Sequence, residues 1–155
     1  MATAHYMVIE WRNIIIHHSL SGDRMLSDTA AIRDYHVKVR GWRDIGYHSI
    51  VERIHKSYEI VCGRMLDRYG AHTIGRNHDS IGVCLVGNYD ADEPSDAQIE
   101  TIVKLSKALC YQFDIPPERI FPHRAFAPYK SCCGIKFDVG KVRHLVTKGI
   151  IANNL

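Results

Sequence analysis

The chain has 155 residues, 46% of them apolar and 24% charged, and its 20 Lys+Arg against 17 Asp+Glu leave a net charge of +3. That length fits one domain, residues 1–155, large enough to bury a core without disulfide or metal staples. So small a positive excess argues against a nucleic-acid binder, and no apolar run approaches the roughly 20 residues that a membrane-spanning helix needs.

Met7 to Glu10 and Asn13 to His18 alternate or run apolar with β-branched residues, which predicts strands. Ser21-Gly22-Asp23 is a turn signal, and Asp28 or Thr29 can cap a helix that carries Ile32, Tyr35, His36 and Val39 on one face and ends at Gly41. After Gly46 a strand is expected over Tyr47 to Ile54, with a hairpin through His55 to Ser57 leading into Tyr58 to Cys62. From Gly63 to Asp79 the pattern turns irregular, and a loop of that length in a compact domain is more often functional than idle. Ser80 to Val86 is a near-continuous apolar run, the mark of a strand buried on both faces. Ser95 then caps the clearest helix, with Ile99, Ile102, Val103, Leu109, Cys110 and Phe113 at helical spacing, and Pro116-Pro117 is expected to stop it. Ile120 and Phe121 predict a short strand running into His123, and Val139 to Lys148 a closing helix. The sum is a single α/β domain, one central sheet covered by helices.

Chemistry concentrates at two places. The stretch Pro122 to Cys133 sets an imidazole (His123), an ammonium (Lys130) and a thiol (Cys132) within ten residues, and Pro122 and Pro128 stiffen it. Far upstream, the strand Ile14-Ile15-Ile16 ends in His17-His18, and on an alternating strand only one of those two faces the same side as Ile15. Two imidazoles and one thiolate are three of the four ligands of a tetrahedral zinc, and the open fourth position is where such sites activate water. That combination points to a hydrolase. Lys130 beside it suits an oxyanion developing on an attacked carbonyl, and Tyr47, at a strand start after Gly46, can offer a phenolic hydrogen bond to the same oxygen. Two other readings compete: Cys132 as a nucleophile with a histidine base, and Cys132-Cys133 as a redox pair, which adjacent-residue disulfide geometry disfavours. Five cysteines in all, an odd set without small-scaffold spacing, and a start lacking a basic segment followed by an apolar one predict synthesis in a reducing cytoplasm without a secretory signal.

Four blocks in order carry a resemblance across about 120 residues: Ile15 to Ser19, Gly41 to His48, Gly70-Ala71-His72 through Asn77 to Gly87, and His123 to Cys132. Together they resemble the zinc-dependent N-acetylmuramoyl-L-alanine amidases of the type-2 amidase and peptidoglycan-recognition-protein superfamily, short phage endolysins above all. The resemblance implies a mixed β-sheet flanked by helices, with one zinc ion in a surface groove held by His17, His123 and Cys132. Tyr47 and Lys130 would be the catalytic pair, and His72, Asn77 and Arg64 would contact the muramyl-peptide stem. The implied reaction is cleavage of the amide between N-acetylmuramic acid and L-alanine in peptidoglycan, on the far side of the inner membrane after release from the cytoplasm. The non-catalytic alternative is a peptidoglycan-binding module, and the likeness to phage endolysins also raises a contact with a phage RNA polymerase, to which no residue here speaks. Cys133 departs from the family, which usually has proline there, and Ala125-Phe126 replaces a more usual acidic-apolar pair. Members that only bind peptidoglycan typically lack the cysteine ligand, so Cys132 favours catalysis.

Overall fold

The computed structural model describes residues 8–22 and 28–152; Met7 and Asp23, named above in a strand and a turn, lie outside the described residues. Five strands form one mixed sheet: β1 (Asn13–His18), β2 (Ser49–Ile54), β3 (Ser57–Cys62), β4 (Ser80–Leu85) and β5 (Ile120–Pro122), in the order β3-β2-β4-β1-β5. β1 runs parallel to both β4 and β5, β2 runs parallel to β4, and the β2–β3 hairpin supplies the antiparallel edge. Every residue of β1 and β4 is buried, as expected of central strands covered on both sides.

Alternation divides the sheet into two faces. Ile14 and Ile16 of β1, Val51 of β2, and Ile81, Val83 and Leu85 of β4 point into the main core. That face is closed by helices α2 (Asp96–Phe113) and α3 (Val139–Ala152), which lie against each other. Ile99, Ile102, Leu105 and Leu109 come from α2, and Val142 and Val146 from α3. Each such aliphatic side chain taken fully out of water contributes about 1.5–3 kcal/mol, so this face is the foundation on which the other can carry polar groups. On the reverse face, Ile50 and Cys84 pack with Ile45, Val86, Ile32 and Tyr47. Helix α1 (Asp28–Asp34) and the long segment 63–79 cover that side.

Several expectations change in detail. Residues 8–12 form no strand: the backbone N–H groups of Arg12 and Asn13 both donate to the Asp79 carbonyl, and Trp11 is buried with its indole N–H on the Leu66 carbonyl. The helix expected to run to Gly41 is regular only through Asp34, and Tyr35–Val39 widens into a π turn before Gly41, at φ +69°, reverses the chain. Its N-terminus is satisfied from outside: Glu52 of β2 accepts from the Thr29 backbone N–H and from the Thr29 hydroxyl, at 2.6 and 2.9 Å. A carboxylate at that end also meets the positive pole of the helix. α2 begins at Ser95 with a full capping box to Gln98, and ends at Phe113, earlier than the prolines. Asp114, in the left-handed region at φ 53°, turns the chain out. Segment 63–79 contains no helix or strand, in keeping with its irregular sequence. Among the described residues no helix is long and apolar enough to cross a membrane.

Candidate metal centre

Parallel strands leave a crevice outside their carboxyl ends, and the site sits there. His17 is the penultimate residue of β1, on the face away from the α2–α3 core, whereas His18 turns towards that core and accepts the Tyr89 backbone N–H at its Nδ1. β5 pairs with β1 through Ile16 and Pro122, so His123, the next residue, emerges beside His17 with ring centroids 4.3 Å apart. The chain then loops back to bring Cys132 Sγ to 3.7 Å from His17 Nδ1. One donor atom from each of His17, His123 and Cys132 lies within 4.8 Å of the other two, and all three residues are buried.

The loop that returns Cys132 is held by residues that patterning does not single out. The Arg124 guanidinium donates to the carbonyls of Ser131, Gly134 and Phe137, and its backbone N–H donates to the Cys132 carbonyl at 2.6 Å. Asp90 accepts from the Ser131 hydroxyl at 2.6 Å and from the Ile135 backbone N–H at 2.9 Å, and these bonds hold its carboxyl below the ordinary range. Arg124 and Asp90 therefore clamp the loop from two sides.

The donor set fits zinc. Burial, then the neighbouring His72, His123 and Lys130, hold His17 well below the usual imidazole range. Burial and Lys130 lower His123 to about 4. Both are neutral near pH 7 and offer lone pairs. Burial pushes the Cys132 thiol up to about 11, and a divalent cation is the partner that ionises a coordinating thiol. Two imidazoles and one thiolate leave a tetrahedral ion one open position. Cys133 is not part of the set: it is fully buried in the apolar core, with its thiol raised to about 12 by burial. All five cysteines are free, including the adjacent pair.

A groove of about 460 Å³ opens beside the cluster: His123 and Cys132 line it with α1, the π turn, Trp42, Tyr47 and Lys130, while His17 lies buried beneath its lining. It continues into a second depression of about 430 Å³ past Ile74, Asn77 and Tyr129. Tyr47 stands half-buried with its ring 5.0 Å from that of His17. Burial, then the Cys84 and Cys132 thiols, keep its phenol protonated well above the ordinary range. His36 props that segment, accepting the Gly46 backbone N–H at 3.1 Å. Lys130 is exposed at the rim of both depressions.

The three remaining residues named from the sequence are placed differently from one another. His72 lies at the junction of the two depressions, but its imidazole points inward, with Nδ1 3.0 Å from His17 Nε2. Asn77 borders the second depression while its Oδ1 accepts from the backbone N–H groups of His72 and Thr73, at 2.8 and 2.9 Å. Arg64 is not brought to the groove: its guanidinium donates to the carbonyls of Ile45, Tyr69 and Asp44, bordering a separate hollow with Arg43 and Arg68.

A mixed five-stranded sheet with two imidazoles and a thiol converging at the ends of its parallel strands is an architecture that could hold one metal ion beside a groove. The sequence profile of the N-acetylmuramoyl-L-alanine amidase family matches residues 7–135, and the chain belongs to that family. The endolysin of Escherichia phage T7 is 39% identical over 124 residues, 77% of this chain and 78% of that protein. The endolysin of Klebsiella phage KP32 is 40% identical over 82 residues, 53% of this chain and 52% of its own length, so the match spans about half of that relative. Among solved structures, the amidase LysC from Clostridium intestinale URNW shares the fold with a TM-score of 0.78 at 23% identity, over 90% of this chain and 87% of that one. Bumblebee PGRP-SA superposes with a TM-score of 0.72 at 26% identity, over 85% and 80%.

Proposed function

We propose that residues 1–155 act as one catalytic domain, a zinc-dependent amidase that hydrolyses the bond between N-acetylmuramic acid and L-alanine in peptidoglycan. The observation that carries this reading is the convergence of His17, His123 and Cys132 beside a groove that Tyr47 and Lys130 line. Zinc, when bound, would supply Lewis acidity and lower the pKa of water from 15.7 towards about 7. The chain's own groups do the rest. Lys130, a cation at the rim, would stabilise the negative charge that gathers on the amide oxygen as it becomes tetrahedral. Tyr47, held protonated, donates a hydrogen bond and orients water or the scissile carbonyl; it is poorly suited to be a base. Trp42 and the π turn give the groove an apolar wall against which a glycan ring can pack. Held protonated by burial, the Cys132 thiol is a poor nucleophile in the free protein, whereas a bound divalent cation would ionise it as a ligand.

Product analysis of digested murein tests the proposal. New free L-alanine amines without new reducing sugar ends, lost with chelator and regained with zinc, are the expected result. Binding to murein without amine release would make the chain a recognition module. Cleavage that persists in chelator but stops on thiol alkylation would make it a cysteine hydrolase.

A further inference from the structure

We propose that His72 is a positioning residue for the metal centre: seated against β4, it fixes the tautomer of His17 that turns a bare Nδ1 towards Cys132. The inference rests on the zinc reading above, but it concerns a residue that touches neither the ion nor the Cys132 thiol.

The assignment follows from hydrogen bonds in sequence. His72 Nε2 lies 3.3 Å from the Ser80 carbonyl, which can only accept, so this nitrogen carries the proton. In a neutral ring the other nitrogen, Nδ1, is then bare. Facing it at 3.0 Å is His17 Nε2, which must therefore be the donor. With its proton on Nε2, neutral His17 presents a lone pair at Nδ1, and that atom is the one 3.7 Å from Cys132 Sγ. Thr73 bridges the two rings, with its hydroxyl 3.0 Å from His72 Nδ1 and 3.4 Å from His17 Nε2.

The surroundings are shaped to keep His72 in this place. A Cβ on Gly82 of β4 would lie 2.5 Å from two atoms of the His72 ring, and one on Gly70 would lie 2.5 Å from its Cδ2. These two glycines open the slot in which the imidazole sits. Asn77 pins the backbone on either side of the ring's attachment, and the His48 ring meets it edge-on at 5.8 Å. Metal-bound histidines commonly give their second N–H to a carboxylate or carbonyl; here an imidazole takes that place and passes the polarity on to a strand carbonyl.

Two measurements test this on the full chain. Nitrogen-15 NMR of the histidine side chains should show His17 protonated at Nε2 in the metal-free protein; a proton on Nδ1 would overturn the assignment. Zinc affinity, read by competition with a chromophoric chelator, should fall about 10–100-fold in His72→Ala, with partial recovery in His72→Asn, whose Oδ1 can accept in place of Nδ1. Gly82→Ala keeps His72 but fills its slot, and should lose zinc affinity as well, which covers the case in which His72→Ala does not fold. Tight zinc binding by the original chain and unchanged affinity in the folded variants would overturn the role of His72 while leaving the metal site intact. Failure of the original chain to bind zinc would overturn the metal reading itself, and this inference with it.

Discussion

Neighbouring thiols with opposite surroundings give Cys132 and Cys133 opposite fates under the same substitution. Cys132→Ser removes the thiol beside His17 that would ligate the ion, and should lower zinc affinity and reduce amine release from murein to background. Cys133→Ser places a hydroxyl in a fully buried apolar setting, so it should keep zinc and activity while losing about 1–3 kcal/mol of stability. Metal content and denaturant midpoints measured side by side would separate the two, and the reverse pattern would reassign the ligand. Lys130 is exposed and remote from the core, so Lys130→Ala should fold and load zinc normally. Its expected loss is about 10²–10³ in turnover, the usual cost of one oxyanion donor. Unchanged turnover would remove it from the mechanism. His48 is a structural counterpart, with Nδ1 accepting the Gly82 N–H and Nε2 donating to the Arg68 carbonyl. Burial lowers it to about 4 against an ordinary 6.5. The unfolded chain therefore takes up the proton first, and the stability His48 contributes is complete above pH 6.5 and drains away as pH falls towards 4. The amount is on the order of 3 kcal/mol. Urea midpoints across that range should decline, and less steeply in His48→Gln.

Where local rules govern, elements and sequence agree closely. β1, the hairpin, β4 and the start of α2 follow from alternation, turn residues and one serine, because each is decided by neighbours in the chain. Ser95→Ala should cost about 1 kcal/mol, measurable as a lower thermal midpoint with activity retained, since neither Ser95 nor Gln98 lines the groove. The π turn after Asp34 escapes such reading, as does the capping of α1, because the acceptor at its N-terminus is Glu52, across a tertiary contact. The candidate site divides the same way. That only His17 of the adjacent pair joins His123 and Cys132 follows from the two-residue period of a strand. That the His72 ring turns inward does not, since it depends on missing Cβ atoms at Gly70 and Gly82. Nor could any spacing show that the Arg64 guanidinium is taken up by three carbonyls on another side of the molecule.

Taken whole, the molecule is a sheet with one apolar face closed by two helices and, on the other, a cluster of donors that could hold one ion; binding should stabilise it by mass action. Free zinc at 100 times its dissociation constant adds about 2.7 kcal/mol. For a chain of this size that should raise the thermal midpoint by about 5–10 °C. Equal midpoints with zinc and with chelator would mean that no ion binds the folded state selectively. The donors of His17 and Cys132 stand 115 residues apart in the chain, so an ion shared between them acts as a tie across most of the backbone. Its release requires bonds to both the end of β1 and the 123–132 loop to break. Its escape should therefore be gated by a breathing motion of one of them, at a rate that levels off as chelator concentration is raised, and the clamps at Arg124 and Asp90 would set that tempo.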